Sequence, residues 1–273
     1  RLHRHGLIRR ASAARVDEAI QVWAFLEGSV IEAEDHPLLE PFWKWYIANS
    51  VRGHFDAVRL HLEQPDLAPT PTLWQATHVS WWDGYLGVLL SGHLGLQHRV
   101  MMLEENLSKY RFLRYLGAFG VDRGHARGAL ESLRYAALQL QQPKARGLMM
   151  FPAGDIGSPF QRPAPYQSGA ASLASQIAKT APIAVRSVAI RLEHLGASKP
   201  EALLRVSAPR IVAGGISTRD LSALLQRDLE RETAALQRDL EMGTLSGYAV
   251  MLRGAGGVQQ GWDAVRRKFG VKV

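Results

Sequence analysis

Cysteine is absent from all 273 residues, which excludes a disulfide framework, a cysteine nucleophile and thiolate metal ligands. Its absence fits a reducing compartment. A metal site would have to use histidines and carboxylates. No carboxylate cluster accompanies His93 and His98, so no metal is expected. Long hydrophobic runs are missing as well. The uncharged stretch Gly84 to His98 is too short, and too rich in Gly and His, to span a bilayer. Arg1 to Arg10 is basic, but no continuous apolar segment follows, so no signal peptide is expected. A start at Arg1 rather than Met is what a fragment or trimmed chain would show. The chain is expected to be soluble or monotopic.

What is present is a core-forming composition. Hydrophobic residues make up 47% and charged residues 21%, enough apolar material to exclude global disorder. Lys and Arg number 33 against 25 Asp and Glu, a formal charge of +8 that attracts polyanions: nucleic acid, anionic headgroups, or acidic substrates and carriers. Charge alone does not choose among them. No nucleic-acid motif is recognisable, so nucleic acid is not an expected partner.

Residues 1–60 read as helical, with Val16 to Leu26 mixing apolar and charged residues at helical spacing. After Pro37, the stretch Pro41 to Leu60 carries Phe42, Trp43, Trp45, Tyr46 and Phe55 among Lys44, Arg52 and Arg59. Such interleaving suits a helix lying in the headgroup layer, or equally an amphipathic helix packed on the core. From about residue 56 strands and helices alternate. Strands are expected at Asp56–Gln64, Thr72–Val79, Ala118–Arg123, Gly147–Phe151, Pro182–Leu192 and Ala202–Val212. Helices are expected at Asp83–Leu96, Leu107–Leu116, Ala126–Leu140, Gly169–Lys179 and Ser217–Glu241, with Pro-rich connections at Pro65–Pro71 and Asp155–Ser168. The pattern predicts an α/β fold: a largely parallel mixed sheet flanked by helices, with an N-terminal helical membrane-surface segment over 1–55 and an α/β domain over 56–273.

Within that frame, His78-Val79-Ser80-Trp81-Trp82-Asp83 stands at a strand-to-helix junction. A His and an Asp five apart align poorly on one continuous helix but can converge across such a junction. There the helix dipole favours the carboxylate. A carboxylate on one imidazole nitrogen fixes the tautomer and leaves the other nitrogen to accept a proton, the apparatus for activating a hydroxyl. Spacing alone says little: with ten His and eleven Asp in the chain, one such pair arises by chance about one time in three. His61 and Asp66 share the spacing but span Pro65, with no helix starting at the Asp.

The order of further segments adds to this. His78 to Gly84 resembles the first block of the glycerol-phosphate/lysophospholipid acyltransferase family, His, four residues, Asp. Leu116-Gly117-Ala118-Phe119-Gly120-Val121-Asp122-Arg123 is similar to its second block, and Met150-Phe151-Pro152-Ala153-Gly154-Asp155 to its Phe-Pro-Glu-Gly-Thr block. Ala181-Pro182-Ile183-Ala184-Val185 resembles the fourth. The four cover residues 72–192 in the family's order.

The resemblance implies transfer of a fatty acyl group from an acyl thioester, on coenzyme A or acyl carrier protein, to a hydroxyl of a lysophospholipid or related lipid. No other cofactor is implied. His78 would be the general base, Asp83 its orienter and Arg123 the holder of an acceptor phosphate. Gly154 would let backbone approach the acceptor or the developing oxyanion. Phe151, Pro152 and Asp155 would line the acceptor site, with Trp81 and Trp82 walling the pocket. Location would be the cytoplasmic face of a membrane, peripheral or monotopic, on an anionic surface that Lys109, Arg111 and Arg114 could meet. Trp262, Arg266, Arg267, Lys268 and Phe269 would offer a second contact. The third block departs from the family: Ala153 replaces Glu, Asp155 replaces Thr and Ile156 stands where Arg often follows. A phosphate beside Asp155 would need compensation by Arg162, Arg123 or Arg127. The alternatives are a non-glycerophosphate acceptor, such as a hydroxylated isoprenoid or glycolipid, or a lipid-binding relative without catalysis.

Overall fold

A computed structural model describes residues 30–65, 71–142 and 146–256. The expected helix at Val16–Leu26, the contact at Trp262–Phe269, Asp66 and most of the Pro65–Pro71 turn lie outside the described residues.

The described residues open on helix α1 (Leu39–His54), whose start is capped by His36 Nδ1 accepting the Leu39 N–H at 3.2 Å. Ile47 and Val51, four apart, bury one face of it, while Phe42, Trp45 and Tyr46 stay exposed. Then follow β1 (Ala57–Leu62), β2 (Thr72–Ala76), α2 (Asp83–His93), β3 (Gln97–Leu103), α3 (Glu104–Lys109), a 3-10 helix (Arg111–Leu116), β4 (Ala118–Val121), α4 (Ala126–Leu140), β5 (Arg146–Met150), α5 (Gly169–Ile177), β6 (Ile183–Glu193), β7 (Glu201–Val206), β8 (Arg210–Val212), α6 (Thr218–Glu241) and β9 (Ala249–Arg253). None of the described helices is long and apolar enough to cross a membrane.

The described strands form one mixed sheet in the order β4-β3-β5-β2-β6-β7-β1-β9, with β8 also on β6. Pairing is parallel from β4 through to β6 and between β7 and β1. It is antiparallel for β6 with β7 and β8, and for β1 with β9. All of β2 is buried, as a central strand covered on both faces must be. Its residues alternate: Trp74 and Ala76 enter the core under α1 and α2, while Leu73 joins the core under α4, α5 and α6.

Four expectations need correction. Gln97–Leu103 is a strand that the sequence pattern hides, because Gln97, His98 and Arg99 open it with polar side chains, two of them buried. Leu107–Leu116 is not one helix. The chain breaks at Tyr110 and re-enters as a 3-10 turn, in which the buried Leu113 and Leu116 are spaced by its three-residue period. Ala202–Val212 divides at Pro209, so β7 and β8 pair with different halves of β6. The edge strand β9 was not anticipated.

One topological fact positions the site. From β2 the chain enters α2, packed on one face of the sheet, and reaches β3 beyond β5. From the neighbouring β5 it enters α5, packed on the other face, and reaches β6 on the far side of β2. Connections diverging in this way open a crevice at the carboxyl ends of the two strands, where α/β sheets place ligands.

Candidate active site

The strand end is pinned first. Thr77 donates its N–H to Val188 O at 3.0 Å, and its Oγ1 accepts from Ile190 N–H at 2.9 Å. His78 comes next, then a short connection to Asp83 at the first turn of α2. That carboxylate is fully buried. Its Oδ2 takes three donors: His78 Nδ1 at 2.9 Å, Val79 N–H at 2.6 Å and Ser80 N–H at 2.9 Å. The connection thus wraps around one oxygen, which is why a five-residue separation suits the pair. Oδ1 is buried without a hydrogen-bond partner among the described residues. Since a carboxylate only accepts, His78 must donate from Nδ1, leaving the Nε2 lone pair available. The imidazole retains 20% exposure and stacks on Phe151, centroids 4.3 Å apart and planes 21° apart. Gly157 donates to His78 O at 3.0 Å, tying the loop after β5 to the same point.

A second group forms where β4 and β5 end. Phe151 to Gly154 make a turn closed by Gly154 N–H to Phe151 O at 2.9 Å, and Gln167 N–H joins Pro152 O at 2.8 Å. Gly154 has φ +82°, and a Cβ there would stand 2.3 Å from Arg123 Nη1 and 2.4 Å from Gln167 Nε2. The backbone approach that Gly154 permits is therefore made by this chain's own guanidinium and amide. Arg123 Nη2 donates to Asp155 Oδ1 at 3.1 Å. Asp122 does not pair with Arg123; its Oδ2 meets His125 Nδ1 at 2.6 Å on the surface. Those contacts hold the Asp122 carboxyl below its usual range, the His125 bond being the largest cause.

His78, Trp81, Arg123, Phe151, Pro152, Gly154 and Asp155 line one cavity of about 390 Å³. Its remaining walls are mainly apolar, including Val88, Val100, Met102, Leu113 and Leu133. Trp82, expected beside Trp81 as a pocket wall, does not line it. Successive residues entering a helix project about 100° apart, and Trp82 turns instead toward α1, packing on His54 and Phe55. A smaller cavity of about 70 Å³ shares His78 and Asp155 and adds Arg162, Tyr166, Arg191 and Glu230.

The sequence pattern missed Gln167, Tyr85, Asn106 and the methionines of β3. The methionines were concealed with the strand that carries them. Gln167 has no local signal; only the fold of the Pro-rich loop brings it over Gly154. Among the described residues no group of three or more His, Asp or Glu, with His93 and His98 or elsewhere, could hold a metal ion. His98 is buried beneath α2, its Nδ1 2.8 Å from Ser91 Oγ.

Neither the family models nor the curated proteins give a match to this chain. Among solved structures, the 1-acyl-sn-glycerophosphate (LPA) acyltransferase PlsC from Thermotoga maritima is similar at 15% identity and a TM-score of 0.46, over 73% of this chain and 78% of that one.

Proposed function

We propose that this chain is an O-acyltransferase that moves an acyl group from a thioester of coenzyme A or acyl carrier protein to the hydroxyl of a lipid. The observation that carries the reading is the His78–Asp83 pair at a largely apolar cavity. Among the described residues no Ser, Thr or Cys lines that cavity, and on this reading the substrate brings the hydroxyl that the base activates. The acceptor oxygen attacks the thioester carbonyl while His78 Nε2 takes its proton. The tetrahedral adduct expels the thiolate, which receives that proton from the imidazolium, giving ester and free thiol. Asp83 orients the ring and supports its cation. The apolar walls suit an acyl chain, each buried methylene contributing about 0.8 kcal/mol. A volume of about 390 Å³ falls within the roughly 300–1,000 Å³ of small-molecule sites.

Membrane attachment is part of the same proposal. Trp81, which lines the cavity, is exposed and meets exposed Tyr110 edge-on, with ring centroids 5.0 Å apart. Phe42, Trp45 and Tyr46 of α1 are exposed as well. Aromatics of this kind suit the headgroup layer and would set the protein peripherally on a membrane.

The test is thiol release from acyl-coenzyme A with a panel of hydroxylated lipids, in parallel with vesicle flotation. Thiol release that requires an acceptor, with the acylated lipid as product, is the expected result. Flotation with vesicles but no turnover on any acceptor would instead identify a lipid-binding protein.

A further inference from the structure

Four arginines could answer a phosphate near the third block, and each is engaged within the chain; Arg191, on the smaller cavity, pairs with Glu193 at 2.7 Å. Arg127 pairs with Glu131 at 3.0 Å on α4. Arg162 Nη1 donates to Pro159 O at 3.1 Å and Gln161 O at 2.8 Å. Arg123, the one guanidinium among the described residues that lines the larger cavity, faces Asp155. This last pair is partly exposed, so its carboxylate could rotate away at little cost. It could not go far. The guanidinium lies across Gly154, and Asp155 is the next residue. Wherever its side chain turns, a carboxylate stays within reach of whatever anion Arg123 holds. In the larger cavity a phosphate carrying nearly two charges would then meet, among the described residues, one arginine and one carboxylate, a poor match for fixed charges that already cancel.

We infer that the acceptor is uncharged around its hydroxyl: an acylglycerol, glycolipid or comparable neutral lipid rather than a phosphorylated one. Asp155 is the residue that enforces the choice. This inference rests on the acyltransfer reading for the reaction, but not for the binding preference.

Two lipids differing only in phosphate test it: a 1-acylglycerol and its 3-phosphate with the same acyl chain. Equilibrium dialysis below the micelle threshold gives the ratio of their dissociation constants, and thiol release gives the ratio of kcat/KM. Wild type is expected to favour the neutral lipid by about tenfold or more in both ratios. Asp155→Asn is expected to move both toward the phosphate by about tenfold, Asp155→Glu to restore the wild-type preference, and Arg123→Ala on the Asn background to cancel the gain. Preference of wild type for the phosphate, or an Asp155→Asn ratio within about twofold of wild type, overturns the inference. The expected binding ratio without acceptor-dependent thiol release upholds it and overturns the acyltransferase reading instead.

Discussion

His78 and His98 are both engaged through Nδ1, and there the likeness stops. His78 stands where β2 ends, its partner a buried carboxylate and its ring edge on the cavity. His98 lies inside the sheet-to-α2 core at 3% exposure, its partner a serine hydroxyl. Its Nε2 has no hydrogen-bond partner among the described residues. Burial, with the Arg99 and Lys44 cations adding to it, pushes the His98 pKa down to about 3. One imidazole has a fixed counter-charge and an opening to the cavity; the other has neither. On the proposed reading a histidine becomes a base through its surroundings, and the four residues between His78 and Asp83 help to supply them.

The comparison can be broken first at Asp83. Replacing it with Asn removes the charge behind His78 and offers an amide donor where three donors already converge. Acceptor-dependent thiol release should fall by about two orders of magnitude. Thermal unfolding should show a loss of about 1–3 kcal/mol from the disturbed hydrogen bonds. Activity retained within a few-fold would mean that the carboxylate only caps α2.

Gly154→Ala should act less strongly. Its Cβ would strike Arg123 and Gln167, and the left-handed backbone adds about 1–2 kcal/mol of strain. Unfolding stability should drop by that amount, and kcat/KM should fall about tenfold with the displaced turn. Wild-type kinetics in a variant of lowered stability would separate the turn from the reaction.

The smallest effect on activity is expected at His98, where pH rather than turnover is the readout. Its folded pKa lies below the ordinary unfolded value, so the unfolded chain binds the proton first as pH falls. Stability is therefore complete above about pH 6.5 and declines toward pH 3 by about 1.4 kcal/mol per unit from this residue. His98→Asn should remove that slope from urea unfolding curves and leave turnover within about threefold. An unchanged slope would place the acid sensitivity elsewhere.

The geometry of the candidate site was legible where it is local. His78 and Asp83 announce themselves through a strand, a short connection and a helix, and α4 runs from Ala126 to Leu140 as its apolar spacing implies. Contacts between distant segments were not legible. Arg123 and Asp155 are 32 residues apart, and only the parallel placement of β4 and β5 on either side of β3, with their carboxyl ends at the same edge of the sheet, brings them together. The polar start of β3 concealed a strand because Arg99 finds Asp35 and Gln139, and His98 finds Ser91, through tertiary packing that periodicity does not register. Trp81 and Trp82 looked equivalent as neighbours, and the helix start sent them to different places.

The central claim meets its most direct test in acceptor-dependent thiol release measured side by side for wild type, His78→Ala and His98→Asn, with folding checked by circular dichroism. Removing the proton acceptor at the cavity should lower turnover at least a hundredfold in folded protein, while the buried imidazole's replacement leaves it nearly intact. Turnover by His78→Ala within about threefold of wild type would contradict the account.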